Sequence, residues 1–266
     1  MDNISEILQT TYIGAFVATF LFNTGSIIKA VDIFNECLVL LNGKARETIK
    51  ELTTPLLIYV YSKLLDGYTL VYDHTRAIEC GKKLLLTLHN SGKKEVEGMT
   101  LIKLANIYYQ RSKYEKAKQF YEKALSFMIE AGNNRGVGTC YGNLGIVFQS
   151  VGQYTKAEEY LQKALVIKQE IGDKAGVGAS YLNLAKLCAE FQLTAKSQEF
   201  ANKAREISYE IGDIEMQFNS HLTIALNELV AGGSITKLLR NLYESIQKCE
   251  ETVSYTHLTL PTIYSV

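Results

Sequence analysis

Apolar and small residues recur along the chain with the spacing of amphipathic helices. In the stretch that begins at Tyr141 they occupy positions i, i+3, i+4 and i+7, and the spacing resumes after a break at 151–153. This places them on one face of a helix. The second segment ends at Gly172 and Asp173, where glycine can adopt a left-handed conformation and aspartate can cap the next helix. The pattern therefore predicts pairs of helices joined by short turns.

The same pattern returns every forty residues without a gap. Rows 101–140 and 141–180 share twelve identical positions, and rows 141–180 and 181–220 share thirteen. A fixed period of this length is typical of units that stack because none of them can bury its apolar face alone. Small residues recur where paired helices are expected to approach most closely. They are Ala77, Ala117 and Ala157 and, two turns later, Ala124, Ala164 and Ala204.

These positions resemble the tetratricopeptide repeat (TPR) family. The resemblance is strongest over 101–220 and implies an all-α fold, a right-handed TPR superhelix (α-solenoid) of antiparallel helix pairs. The long unit and its Gly-Asp corner are similar to those of the Pins/LGN polarity adaptors and, less closely, kinesin light chains. The family's first-position tryptophan and the proline that usually ends the second helix are missing. The best-matching unit carries the pattern at Tyr141, Leu144, Gly145, Phe148, Gly152, Tyr154, Ala157 and Ala164.

Outside the regular stretch we expect degenerate units. Residues 1–60 are predicted to form a degenerate N-terminal repeat with a connecting helix that begins near Ala45 and is kinked or split at Thr54-Pro55. A capping repeat at 221–250 should contain a second helix at 234–250. The segment 251–266 is interpreted as a disordered tail or as non-native sequence, so the natural protein is expected to continue past residue 250. The four regular units are 61–100, 101–140, 141–180 and 181–220.

Composition and motifs favour a protein without catalysis or cofactor. The 28 Lys and Arg balance 28 Asp and Glu, which disfavours nucleic acid as a partner. The apolar run Tyr12 to Phe22 is too short to span a membrane and lacks the features of a signal peptide, so we expect no membrane insertion and a cytoplasmic location. The histidines are isolated and the five cysteines form no CxxC pair, which argues against a metal site and for reduced, interior cysteines.

The function is expected to lie on the surface of the first helix of each pair. In a TPR array these helices line a concave groove. Regular rows of amides and lysines there suit hydrogen bonds to a peptide main chain, and Lys63 and Lys103 favour acidic side chains. The alternative interpretation is that these are simply the solvated faces of amphipathic helices. The predicted groove residues are Lys63, Asp66, Lys103, Asn106, Tyr109, Asn143, Gln149, Asn183, Lys186 and Glu190.

Two functional hypotheses follow from this surface. The first is a scaffold or adaptor that binds a protein or peptide ligand, with an acidic one favoured. The second is a regulatory or self-associating TPR module of a larger signalling protein. In some TPR proteins two lysines, two asparagines and an arginine grip a C-terminal carboxylate. Lys63, Lys103, Asn106 and Asn143 resemble part of that clamp, but no arginine lies in the aligned groove.

Overall fold

The computed structural model describes residues 2–42, 50–89 and 91–236, together with Arg240 and Tyr243. These residues form eleven α-helices and no strand, which confirms the all-α TPR-type fold. The helices are α1 (Asp2–Asn23), α2 (Ile27–Leu41), α3 (Lys50–Leu70), α4 (His74–Leu88), α5 (Lys94–Gln110), α6 (Tyr114–Glu130), α7 (Asn134–Ser150), α8 (Tyr154–Glu170), α9 (Lys174–Glu190), α10 (Thr194–Ile211) and α11 (Ile214–Val230).

The chain divides into two compact units, residues 1–136 and 137–266. In unit 1 the pairs α1/α2, α3/α4 and α5/α6 pack internally, and α2 and α4 also contact the following pair. In unit 2 the ring of Tyr160 on α8 packs against Tyr141 and Phe148 of α7, with centroids 5.8 and 5.1 Å apart. There α9 packs with α10, and α11 contacts both. Each unit therefore consists of sequential helix pairs, as the period predicts.

The corners between pairs have the predicted chemistry. Gly132, Gly172 and Gly212 have φ of +66°, +67° and +70°, a left-handed conformation that a side chain would strain. After two of these glycines an aspartate caps the next helix: the Oδ1 atoms of Asp173 and Asp213 accept backbone N–H bonds of 3.2 and 2.8 Å. Because each turn satisfies its own backbone, every new helix begins at a defined residue.

The small residues hold paired helices together. All six repeated alanines are fully buried. Between α7 and α8, a Cβ on Gly145 would lie 2.7 Å from the Cγ of Leu161 and 3.2 Å from the carbonyl oxygen of Ala157. Larger side chains at these positions would push the helices apart.

Pro55 does not split its helix, and the alternative expectation, a kink at Thr54-Pro55, stays a prediction. Helix α3 continues through Pro55 as one element. A proline removes one backbone hydrogen bond from a helix. Here the turn that follows is held by tertiary packing, since Leu56, Leu57 and Val60 are all buried in the core of unit 1. The predicted beginning of this helix near Ala45 lies outside the described residues.

Other predictions at the two ends have mixed outcomes. The N-terminal repeat contains the helices α1 and α2, and α11 ends at Val230, two residues before Gly232, which has φ of +89°. The segments 237–239, 241–242 and 244–266 lie outside the described residues, so the second capping helix and the tail stay predictions. The predicted domain boundaries likewise stay predictions. No helix in the described part is long and apolar enough to cross a membrane.

Candidate functional site

The predicted groove residues of unit 1 lie on α3 and α5. We call Lys63, Asp66, Lys103, Asn106 and Tyr109 the unit 1 row. The Lys103 ammonium donates a hydrogen bond to the carboxylate of Asp66, with the two side chains 32% and 33% exposed. The charge of Lys103 is thus balanced by Asp66, whereas Lys63 has no ion pair with the described residues.

The Lys63 ammonium lies between two aromatic rings. Its Nζ is 5.3 Å from the ring centroid of Phe22 on α1 and 5.8 Å from that of Tyr59 on α3. Cations at such distances are attracted to the negative faces of the rings. No carboxylate of the described residues lies within ion-pair distance of Lys63. Its charge is therefore positioned but not neutralised.

The remaining two residues of the unit 1 row are held by tyrosines of the neighbouring helix. The hydroxyl of Tyr121 on α6 donates to Oδ1 of Asn106. The ring of Tyr109 packs on that of Tyr114, with centroids 5.5 Å apart. Both contacts connect α5 to α6, so they serve the helix pair as well as the surface.

The predicted groove residues of unit 2 lie on α7 and α9. We call Asn143, Gln149, Asn183, Lys186 and Glu190 the unit 2 row. Gln149 donates a 2.7 Å hydrogen bond from Nε2 to Oε1 of Glu190, which joins the ends of the two first helices. Lys186 is exposed and has no ion pair among the described residues. Within the unit 2 row, the described contacts therefore bring Gln149 and Glu190 together.

Asn143 and Asn183 are the equivalent amides of the unit 2 row. They are forty residues apart, one turn or more from the ends of their helices, and both are half-buried. Within the part of the chain that the structure describes, neither side chain makes a hydrogen bond. A primary amide both donates and accepts, so each can pair with an N–H and a C=O of another main chain.

Sequence reasoning missed an apolar cleft between α1 and α3 in unit 1, which we call the N-terminal cleft. Its volume is about 630 Å³, and its lining includes Tyr12, Ile13, Phe16, Thr19, Pro55 and Tyr59. The apolar run in the sequence was the available signal. What the run did not reveal is its exposure: Phe16 is 77% exposed on α1.

The four described cysteines are buried, and burial raises the pKa of each thiol. Burial raises the pKa of Cys80 to about 11 and that of Cys140 to about 12, which keeps these thiols protonated. Cys37 and Cys188 are also free and buried, as predicted, whereas Cys249 lies outside the described residues. Among the described residues, no group of three or more His, Cys, Asp or Glu side chains is placed to hold a metal ion.

Lys168 on α8 is a half-buried charge of unit 2. Its Nζ donates a 3.1 Å hydrogen bond to Oγ of Ser180, and its stem passes close to Gly138 and Gly176. Burial lowers the pKa of Lys168, while the carboxylate of Asp173 opposes that shift. Because the lysine fills a packing position between helices, we assign it a structural role.

Comparison with known proteins connects this geometry to a family. The model of the tetratricopeptide repeat family matches residues 96–170 and 136–210. No curated protein matches the sequence. The apo form of RapI is 17% identical, with a TM-score of 0.77 over 90% of this chain and 83% of that one.

Two further solved structures share the fold. The Rap conjugation gene regulator of plasmid pLS20, in complex with the Phr* peptide, is 16% identical, with a TM-score of 0.66 over 92% of this chain and 64% of that one. The TPR-like repeats of a putative kinesin light chain from Podospora anserina are 15% identical, with a TM-score of 0.61 over 80% of this chain and 99% of that one. The likeness to Pins/LGN adaptors stays a prediction. Residues 96–210 therefore match the tetratricopeptide repeat family, and the helix pairs built on them have the fold of its members.

Proposed function

We propose that the chain is an interaction scaffold that binds a peptide segment along the unit 2 row. The observation that carries the proposal is the pair Asn143 and Asn183. Both side chains are half-buried, repeat with the period of the fold and make no hydrogen bond among the described residues. Polar groups that are partly withdrawn from water and left without a protein partner are suited to receive one from a ligand.

The spacing of the two amides favours a main-chain ligand. Successive first helices present the same residue type at the same register, and the Gln149–Glu190 hydrogen bond holds α7 and α9 beside each other. An extended peptide offers N–H and C=O groups regardless of its side chains. The shared fold of a Rap regulator that is solved with a peptide supports this kind of ligand.

We expect acidic side chains of the peptide ligand to contribute less to binding than the sequence alone suggests. Lys103 is already paired with Asp66, and the unit 2 row contains one cation, Lys186, and one carboxylate, Glu190. Charge therefore contributes little to the proposed binding at Asn143 and Asn183, which depends on amide hydrogen bonds.

A displayed library of random 15-residue peptides, selected on the intact chain, provides the ligand for the test. The affinity of a synthetic copy of an enriched peptide is then measured by fluorescence anisotropy. The double variant Asn143→Ala/Asn183→Ala should bind about tenfold more weakly, because two hydrogen bonds contribute about 0.5–1.5 kcal/mol each. The matched control is Asn202→Ala, a half-buried amide on α10 that lies outside the row.

The outcomes separate the proposal from its alternatives. Equal weakening by the double variant and by Asn202→Ala would show that the loss is a general effect of removing amides. Unchanged binding by the double variant would overturn the proposal outright. Thermal unfolding of each variant, with a midpoint close to that of the wild type, ensures that only the surface has changed.

A further inference from the structure

The N-terminal cleft is built to hold an apolar group. Its walls come from α1 and α3, and its volume of about 630 Å³ is of the size that proteins use for ligands. The hydroxyl groups of Thr19 and Tyr59 hydrogen-bond to each other and join the two walls. Tyr59 is further fixed by an edge-on contact with Phe34, with ring centroids 6.3 Å apart. The cleft is therefore formed in advance of any ligand.

The helix beside the cleft exposes an unusual amount of apolar surface. On α1, Ile13 is 66%, Phe16 77% and Phe20 62% exposed. Between residues 7 and 23 the helix has no charged residue. Adjoining exposed apolar side chains of this size are typical of interaction sites. Because α1 also lacks Lys and Arg, it has none of the basic residues that accompany apolar side chains in helices that lie on anionic membranes.

Lys63 places a positive charge beside this apolar surface. It lies one helical turn after Tyr59, a residue of the cleft wall, and its Nζ is held against the rings of Tyr59 and Phe22. The charge of the neighbouring Lys103 is taken up by Asp66, so Lys63 is the cation of the unit 1 row that remains available. An apolar cleft with one such cation is complementary to a ligand that has an apolar group next to a negative charge.

We propose that the N-terminal cleft binds an acidic peptide that inserts a bulky apolar side chain between α1 and α3 and pairs a carboxylate with Lys63. The proposal rests on the proposed function in taking a peptide as the ligand, and it adds the chemistry of the side chains. None of the residues that line the cleft belongs to the unit 2 row, so the two sites can be tested separately.

The test selects random 12-residue peptides on the wild-type chain and on two charge variants at Lys63 and Lys82, and it measures the affinity of an enriched peptide for the remaining variants. Wild type should enrich peptides with a large aliphatic or aromatic residue near Asp or Glu. Phe16→Ser, at an exposed position, should weaken the binding of such a peptide about tenfold, as is usual for truncated anchors. Ile13→Ser provides a second exposed change in the same wall, and both should unfold at the wild-type temperature.

Charge reversal tests the role of Lys63. Lys63→Glu should change the enriched peptides from acidic to basic, and Lys63→Gln should weaken an acidic peptide about three- to tenfold at low salt. The matched control is Lys82→Glu, which makes the same change in net charge at an exposed position on α4, the second helix of the α3/α4 pair. Lys82→Glu should leave the enriched sequences acidic.

Several results would overturn the inference. Enrichment without acidic residues, or identical selections from Lys63→Glu and Lys82→Glu, would contradict the role assigned to Lys63. A wild-type dimer in analytical ultracentrifugation that Phe16→Ser converts to monomer, with no peptide bound, would show that a second copy covers the cleft. If Asn143→Ala/Asn183→Ala abolishes peptide binding and the cleft variants have no effect, the proposed function stands and this inference fails. The reverse result would leave the cleft as the binding site.

Discussion

The two units use equivalent positions of the repeat in different ways. The register shared by Lys63, Lys103, Asn143 and Asn183 is half-buried throughout. In unit 1 the lysines there are held by protein groups, one by a carboxylate and one by aromatic rings. In unit 2 the asparagines make no hydrogen bond among the described residues. The repeat thus fixes where a side chain lies, and its neighbours decide whether it remains available to a ligand.

A second difference concerns the position four residues after the repeated alanines Ala124, Ala164 and Ala204. In unit 1 this position is the fully buried Met128, and a Cβ on Gly136 would lie 2.3 Å from its sulfur. In unit 2 the same register contains Lys168, packed against Gly176, and forty residues later Ser208. Ser208 has a short side chain, and in its unit Met216 stands at the position that Gly136 and Gly176 occupy in the two preceding units. Large and small residues therefore exchange places while the space that they fill is maintained.

The largest expected effect comes from placing a lysine at this position of unit 1. Met128→Lys should reduce the free energy of unfolding by about 3 kcal/mol, since it buries a charge without a carboxylate partner. The residue equivalent to Asp173 is Asn133, whose side chain is neutral. Urea unfolding of the single variant and of Met128→Lys/Asn133→Asp measures this, and the double variant should recover part of the loss. Equal stability of Met128→Lys and wild type would contradict the comparison.

The converse change in unit 2 should stabilise the protein by about 0.5–2 kcal/mol, the range of typical improvements. Lys168→Met removes a charge whose burial lowers its pKa. Between the lowered pKa and the ordinary value of 10.5, the unfolded chain binds more protons than the folded one, so wild-type stability rises with pH there. The advantage of Lys168→Met should be full at neutral pH and shrink as pH approaches 10.5.

This advantage is measured by comparing the unfolding midpoints of Lys168→Met and the wild type at neutral and alkaline pH. Ser180 still donates its hydroxyl to the carbonyl of Gly176 at 3.0 Å, so the variant leaves no buried donor unpaired. A Lys168→Met protein that is less stable than wild type at neutral pH would show that the ammonium contributes net stability.

The smallest expected effect on stability comes from breaking the ion pair of the unit 1 row. Asp66→Asn should change the free energy of unfolding by less than about 1 kcal/mol, because both partners are a third exposed and screened by water. Freed from its carboxylate, Lys103 should bind a fluorescein-labelled Glu-Gly 12-mer about threefold more tightly at low salt. Glu190→Gln, an equal charge change in unit 2, is the control. An identical gain with that control would refute a local role for Lys103.

The repeats and their corners could be predicted from the sequence because they depend on local interactions. The left-handed Gly172 and Gly212, the caps by Asp173 and Asp213 and the small residue at Ala157 each act within a few residues or at a fixed register. The continuation of α3 through Pro55 could not be predicted, since packing of the next turn overrides the local preference of proline. The exposure of Phe16 was equally hidden, because an apolar run alone does not say which of its faces is covered.

The sequence by itself determined that the chain is a series of helix pairs with a forty-residue period and which residues share a face. Periodicity is sufficient for this, because helix geometry converts spacing directly into direction. Only the tertiary structure decided that Asp66 neutralises Lys103, that Asn143 and Asn183 make no hydrogen bond with the described residues and that α1 and α3 enclose a cleft. These features depend on contacts between side chains distant in sequence, whose distances are set by packing of one helix on another.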